Sequence, residues 1–261
     1  MNYIVCIKQV PDTMEVKVDP ETKRIVREGV PSILNPYDYY AVEEALRLKE
    51  RFGGTTIAIS MGPPQAEAVL KEAISLGIDQ GYLISDRAFA GSDTLATSYT
   101  LARAIKKIGD FSVVLCGREA MDGSTGQVGP ELAEHLEIPV ITYVSKIINI
   151  ADNRIECVRL LEDHYETLTS FLPVVITVIK EINEPRLPSL KGMLKSKKTQ
   201  IPVWTKNDIG GDELQFGQDG SPTKVVEIWR PEIKKEGKIV KGEPEELAET
   251  IYQELKKLGV A

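Results

Sequence analysis

Over its first 140 residues the chain repeats one pattern: a short run rich in β-branched and apolar residues, a loop, then an amphipathic stretch at helical spacing. The strand-like runs are residues 3–10, 55–60, 80–85 and 111–116. After the first, Ala41, Val42, Ala45, Leu46, Leu48 and Phe52 fall on one helical face, with Asp38 near the helix start and Gly53-Gly54 at its end. A second helix is expected over 65–76, stopped by Gly77. A third spans about 93–108 with Leu95, Ala102 and Ile105 inward, and a shorter one, entered through Pro130, spans 127–136. Strand, crossover helix, strand is the grammar of a parallel sheet covered on both faces. The expected fold is therefore α/β, a three-layer open parallel sheet.

Beyond residue 140 the grammar changes. Residues 140–150 and 155–161 read as antiparallel strands joined by a tight Asp152-Asn153 turn, and 165–170 and 174–179 read as two more antiparallel additions. Residues 183–198 are Pro-rich and basic and read as an exposed loop. Residues 199–240 are irregular. Gly242-Glu243-Pro244-Glu245-Glu246 opens a final helix whose early carboxylates suit its positive end, with Leu247, Ile251, Leu255 and Leu258 as an apolar stripe. The sixty-residue tail carries Trp204, Phe216, Ile228 and Trp229 and is too small for a core of its own. Either it folds back on the same domain or it lies as an arm across another subunit. The division expected is a domain over 1–198 and a partner-wrapping arm and helix over 199–261.

Composition excludes several classes. A formal charge of −7, from 32 basic and 39 acidic residues, leaves no long phosphate-neutralising face for nucleic acid. Two histidines and three widely spaced cysteines make neither a metal set nor a disulfide framework. The longest apolar stretch, residues 171–179, is about half of what a membrane helix needs. The opening Met1-Asn2-Tyr3-Ile4 has no basic leader and so no export signal, and the unpaired cysteines make a reducing cytoplasm the expected home, with no transmembrane segment and any membrane association made peripherally through partners.

Ligands in open parallel sheets bind beyond the carboxyl ends of the strands. The segment there with most to offer is Gly117-Arg118-Glu119-Ala120-Met121-Asp122-Gly123-Ser124-Thr125-Gly126-Gln127-Val128-Gly129-Pro130. Its glycines allow close backbone approach, Ser124 and Thr125 offer hydroxyls, and the following helix presents free N–H groups to an anion. It reads equally as a phosphate cradle or as a glycine-rich loop without special role. Gly91-Ser92-Asp93-Thr94 is a second helix start, readable as an ordinary cap or as a further ligand contact. His135, late in a helix, and His164, in a turn beside Asp163, have no catalytic motif around them. Glu43-Glu44 reads as the solvated side of a helix. A ligand loop without acid, base or nucleophile suits redox chemistry, in which a cofactor reacts.

Several blocks in order resemble the beta subunit of electron transfer flavoproteins over almost the whole chain: Val5-Cys6-Ile7-Lys8-Gln9-Val10-Pro11-Asp12, Asn35-Pro36-Tyr37-Asp38, Ser60-Met61-Gly62-Pro63, residues 122–130, and Asn183-Glu184-Pro185-Arg186 through Lys195-Ser196-Lys197-Lys198. The resemblance implies a heterodimer with a flavin-carrying alpha subunit. It also implies AMP bound at Val10, Asn35 to Asp38, Met61, and Asp122, Gly123, Ser124, Thr125, Gly126, Gln127 and Val128, with Arg118 shaping the loop. The compact 122–130 loop and Gly91-Ser92-Asp93-Thr94-Leu95-Ala96-Thr97 are most similar to the electron-bifurcating branch. That branch holds FAD in this place, with Thr94 and Thr97 at the flavin ring. The likeness then implies hydride from NADH, one electron to ferredoxin or flavodoxin, and the other towards a quinone oxidoreductase or acyl-CoA dehydrogenase; AMP as a structural nucleotide is the alternative. Leu190, Lys191, Met193 and Lys195 resemble the family's loop for docking an acceptor dehydrogenase.

Overall fold

The computed structural model describes residues 1–12, 31–226, 237 and 239–260. Two compact units divide it, Met1–Val226 and Glu227–Ala261. In the first, the strands are β1 (Asn2–Cys6), β2 (Gln9–Pro11), β3 (Ser32–Leu34), β4 (Thr55–Met61), β5 (Gln80–Ile84), β6 (Val113–Gly117), β7 (Val140–Ala151), β8 (Arg154–Leu160), β9 (Tyr165–Phe171), β10 (Val174–Val178) and β11 (Val203–Trp204). The helices are α1 (Pro36–Phe52), α2 (Glu67–Leu76), α3 (Thr94–Ile108), α4 (Val128–Leu136), α5 (Leu190–Lys198) and the single turn α6 (Lys206–Ile209).

Nine strands form one sheet in the order β11-β5-β4-β1-β6-β10-β7-β8-β9, and β2 pairs with β3 as a separate ribbon. From β11 to β7 every neighbour is parallel; only the β7–β8 and β8–β9 pairings are antiparallel, so β8 alone runs against the rest of this sheet. This is the expected α/β architecture with antiparallel additions. Alternation along β1 shows why the sheet is covered twice. Tyr3, Val5 and Ile7 pack under α1 and α2, whereas Ile4 and Cys6 pack against residues of α3 and α4 such as Leu101, Ile105 and Leu132. Each such side chain stabilises the fold by about 1.5–3 kcal/mol relative to exposure.

Four local expectations are corrected. Residues 174–178 are not an antiparallel addition: β10 slots in parallel between β6 and β7, near the middle of the sheet, and all five residues are buried. Run 3–10 is interrupted, its last part leaving the sheet to pair with β3. Leu95 faces outward at 39 % exposure, while Ala102 and Ile105 are buried as expected. Within residues 183–198 the basic stretch forms α5, capped by the Ser189 hydroxyl accepting the Gly192 N–H. A Cβ on Gly192 would lie 2.0 Å from the Ser75 carbonyl oxygen, so only glycine lets α5 approach α2 this closely.

Trp204 and Phe216, expected in the tail, lie in the first unit. Trp204 in β11 stacks on Tyr82 at 4.3 Å, and Phe216 packs with Phe89 and Tyr99. Ile228 and Trp229 lie outside the described residues. In the second unit, α7 (Pro244–Lys257) forms where a final helix was expected, with Ile251 and Leu255 exposed. No described helix is long and apolar enough to cross a membrane.

Candidate functional site

The parallel register brings the carboxyl ends of β1, β4, β6 and β10 to one edge, and the loop after β6 is built there. Arg118 N–H donates to the Val178 carbonyl, carrying the loop off the sheet. A turn follows in which the N–H groups of Gly123 and Ser124 donate to the Ala120 carbonyl at 3.2 and 2.7 Å. Ser124 and Gly126 take left-handed conformations, φ +48° and +63°. α4 then begins with no side chain capping its start. Among the described residues nothing accepts from the N–H groups of Thr125, Gly126 and Gln127, and the hydroxyls of Ser124 and Thr125 carry no hydrogen bond.

The loop is held from behind. Asn35, 1 % exposed, donates through Nδ2 to the Glu119 carbonyl and to Asp38 Oδ1, both at 2.9 Å, and accepts the Met121 N–H at 3.0 Å. Asp38 also accepts the Lys8 N–H at 2.8 Å. Burial, the dominant influence, pushes its carboxyl up to about 7, while Asn35 and the Lys8 and Gly117 amides pull it down. A Cβ on Gly117 would stand 2.4 Å from Asp38 Oδ1, which explains the glycine there. Lys8 Nζ meets Asp122 at 2.7 Å. The Arg118 guanidinium lies 4.9 Å from the Tyr37 ring centre and bonds Glu119, which raises it. The polar atoms of Asn35 and Asp38 are thus engaged by protein groups. Val10 is buried in β2, and Met61 ends β4 half-buried.

The second helix start lies beside the first. Asp93 caps α3 by accepting the Ala96 N–H at 3.1 Å. Thr94 Oγ1 donates to Glu131 Oε1 at 3.1 Å and lies 3.5 Å from Gln127 Oε1; Ser98 reaches Glu131 Oε2 at 3.5 Å. Burial raises the Glu131 carboxyl, and the nearby Asp93 charge adds to it. Thr97 is half-buried, and its hydroxyl has no hydrogen bond among the described residues. Thr94 and the loop at 122–128 are therefore brought together through Gln127. Leu190, Lys191, Met193 and Lys195 sit apart from these, on α5, where Leu190 is 74 % exposed and Lys195 donates to the Ile78 and Asp79 carbonyls.

The residues present suit a phosphate. Amides and two hydroxyls without a partner among the described residues converge at a helix start, and Arg118 and Lys8 stand beside them, ion-paired with Glu119 and Asp122. The buried Ser60 hydroxyl at the end of β4 also finds no partner among the described residues. Sequence reasoning missed Glu131 and Tyr143. Glu131 gives no signal, because one carboxylate in a helix start is ordinary; Tyr143 carries φ +56° without a glycine to announce it. It also misread Glu43 and Glu44, which are buried, since Arg186 binds Glu43 at 2.7 Å and Asn183 binds Glu44 at 3.0 Å. His135 is half-buried, edge-on to Tyr99, and its Nε2 has no partner among the described residues; His164 is exposed beside Asp163. Those residues hold no grouping of three or more His, Cys, Asp or Glu fit for a metal.

Comparison with known proteins places this geometry in context. Residues 22–209 match the electron transfer flavoprotein domain family. The chain is 48 % identical over 256 residues to an electron transfer flavoprotein subunit beta of Thermoanaerobacterium thermosaccharolyticum, covering 98 % of each. It is 45 % identical over 258 residues to the caffeyl-CoA reductase–Etf complex subunit CarD of Acetobacterium woodii, again covering 98 % of each. Identity to the protein FixA of Azotobacter vinelandii is 41 % over 265 residues, covering 98 % of this chain and 94 % of FixA.

Proposed function

As the chain belongs to the electron transfer flavoprotein family, with beta subunits and FixA proteins as relatives, we propose that it pairs with a flavin-carrying alpha subunit and buries an adenine nucleotide at the loop after β6. The observation carrying this is the set of unpartnered Thr125, Gly126 and Gln127 amides and Ser124 and Thr125 hydroxyls at the start of α4. Such groups pay for no protein contact and suit a phosphate. Asn35 and Asp38 serve by fixing the loop, and Arg118 by stacking over Tyr37 beside it. In its simplest form the nucleotide is AMP and the subunit scaffolds its partner. α5 presents Leu190 among lysines to an acceptor dehydrogenase, the apolar side chain supplying desolvation and the charges steering encounter.

One observation favours a second, longer reading. Thr94 stands 3.5 Å from Gln127 Oε1, so a ligand extending from the cradle meets the start of α3 next. FAD would extend so, its ADP part in the cradle and its ring towards Thr94 and Thr97. Bound there, it would supply hydride acceptance from NADH and electron delivery to two acceptors, ferredoxin or flavodoxin being one. The protein's own part is to bind, orient and shield. The two readings separate on nucleotides released from the purified heterodimer by denaturation. One FAD with one AMP supports the scaffold, and two FAD without AMP supports the longer ligand. One FAD with no second nucleotide contradicts both.

A further inference from the structure

Tyr143 stands in a backbone conformation that bulky side chains rarely adopt, with φ +56°. The cause is a bulge. In pairing with β10, Ile141 lies opposite Ile176 and Val144 opposite Val178, so Thr142 and Tyr143 share the single position of Thr177. Thr177 secures the arrangement: its hydroxyl accepts the Tyr143 N–H at 3.1 Å. Its methyl lies 2.4 Å from where a Cβ on Gly129 would stand, so the same residue ties the bulge to the first turn of α4. The register of Gly117 with Val178 and of Val178 with Val144 sets the bulge level with the loop after β6.

The bulge re-aims a side chain. Ile141 and Val144 are buried, whereas Tyr143 is 41 % exposed. Its hydroxyl lies 3.9 Å from the place a Cβ on Gly126 would occupy. No described residue hydrogen-bonds to that hydroxyl. An unpartnered phenol donor is thus held beside a loop of unpartnered amide donors by a residue in a strained conformation, of the kind that clusters at ligand sites.

We propose that Tyr143 is a ligand-contacting residue, its phenol hydroxyl donating to the phosphoryl group held by residues 124–127. The inference rests on the nucleotide reading above and adds a donor from a strand to those of the loop. Its oxygen is positioned by the bulge, not by the loop, so the phosphoryl group is gripped between two elements.

The test uses the full chain in its heterodimer, stripped of nucleotide and titrated with AMP and with FAD. Tyr143→Phe keeps the ring and the backbone and removes one donor. The expected result is a Kd raised about 10- to 100-fold for whichever nucleotide the wild type binds, the range for losing a hydrogen bond to a charged group. Its melting temperature without nucleotide should be unchanged, which a merely structural role would not give. Tyr143→Gly relieves the left-handed strain, so its nucleotide-free form should melt no lower than wild type while binding as weakly as Tyr143→Phe. Wild-type affinity in Tyr143→Phe overturns the inference and leaves the nucleotide reading intact. Failure of the wild type to bind either nucleotide overturns both.

Discussion

The side-chain carbonyl of Asn35 accepts the backbone N–H of Met121 at 3.0 Å, across 86 residues of chain. With Nδ2 on Glu119 and Asp38, one buried amide fastens the loop after β6 to the entrance of α1. Asn35→Ala strands the Met121 N–H and the Glu119 carbonyl together. A loss of about 2–4 kcal/mol is expected, since a stranded buried group costs about 1–3 kcal/mol. Urea unfolding measures it, and nucleotide content should fall further than stability alone requires. An Asn35→Ala protein of wild-type stability would remove the clamp from the account.

Asp38 gives stability a pH dependence of definite sign. Its folded carboxyl is raised, chiefly by burial, from 3.8 to about 7. The native state therefore holds a proton between about pH 4 and 7 that the unfolded chain has released. The stability from this group is fully present below pH 4 and is lost as pH rises through 7. Asp38→Asn should flatten the fall between pH 4 and 7 in denaturant titrations. An unchanged slope would show that Asp38 titrates normally.

Glu131 should link nucleotide binding to protons. Its carboxyl is already raised by burial and Asp93, and His135 opposes them. A phosphate entering beside Gln127 raises it again, so binding takes up protons and affinity weakens as pH rises. Each unit of further rise costs tenfold in Kd at high pH. FAD, whose pyrophosphate does not titrate near neutrality, is the clean probe. Calorimetry in buffers of different ionisation enthalpy should show proton uptake in wild type and its loss in Glu131→Gln; equal uptake in both would sink the linkage.

In the docking role proposed for α5, Leu190→Ala should slow electron delivery to an acceptor dehydrogenase by about tenfold or more, as for a buried anchor of an interface. Nucleotide content and the flavin spectrum should be unaltered, because α5 packs on α2 and not on the loop after β6. Lys191→Glu should instead lower the association rate, and high salt should shrink the difference. Stopped-flow kinetics at two ionic strengths separates the effects.

How much of this was legible in the sequence depends on the range of the interaction. β1, β4, β5 and β6 and the helices between them were readable, because local propensity and periodicity agree there. The Asp152-Asn153 turn was readable too, and both residues are left-handed, φ +51° and +58°. β10 was misassigned because its place is set by partners on β6 and β7, and a buried apolar run looks alike in either direction. Glu43 and Glu44 were misread because their counter-groups, Arg186 and Asn183, come about 140 residues later. In the site, glycines and hydroxyls marked the loop at 122–128. Tyr143 left no mark, because its strain comes from a bulge against Thr177 that period-two alternation does not reveal.

If the backbone at residues 124–127 grips the phosphate of an adenine nucleotide, Gly126→Val must release it. Gly126 sits at φ +63°, where a β-branched residue is strongly disfavoured, so the loop must change course while the sheet beneath keeps its register. The measurement is adenine nucleotide per heterodimer, counted after denaturation, beside the far-ultraviolet circular dichroism of the same sample. The variant is expected to lose the nucleotide held by this subunit while keeping the wild-type spectrum and the alpha-subunit flavin. A correctly folded variant retaining its full complement of nucleotide would contradict that grip.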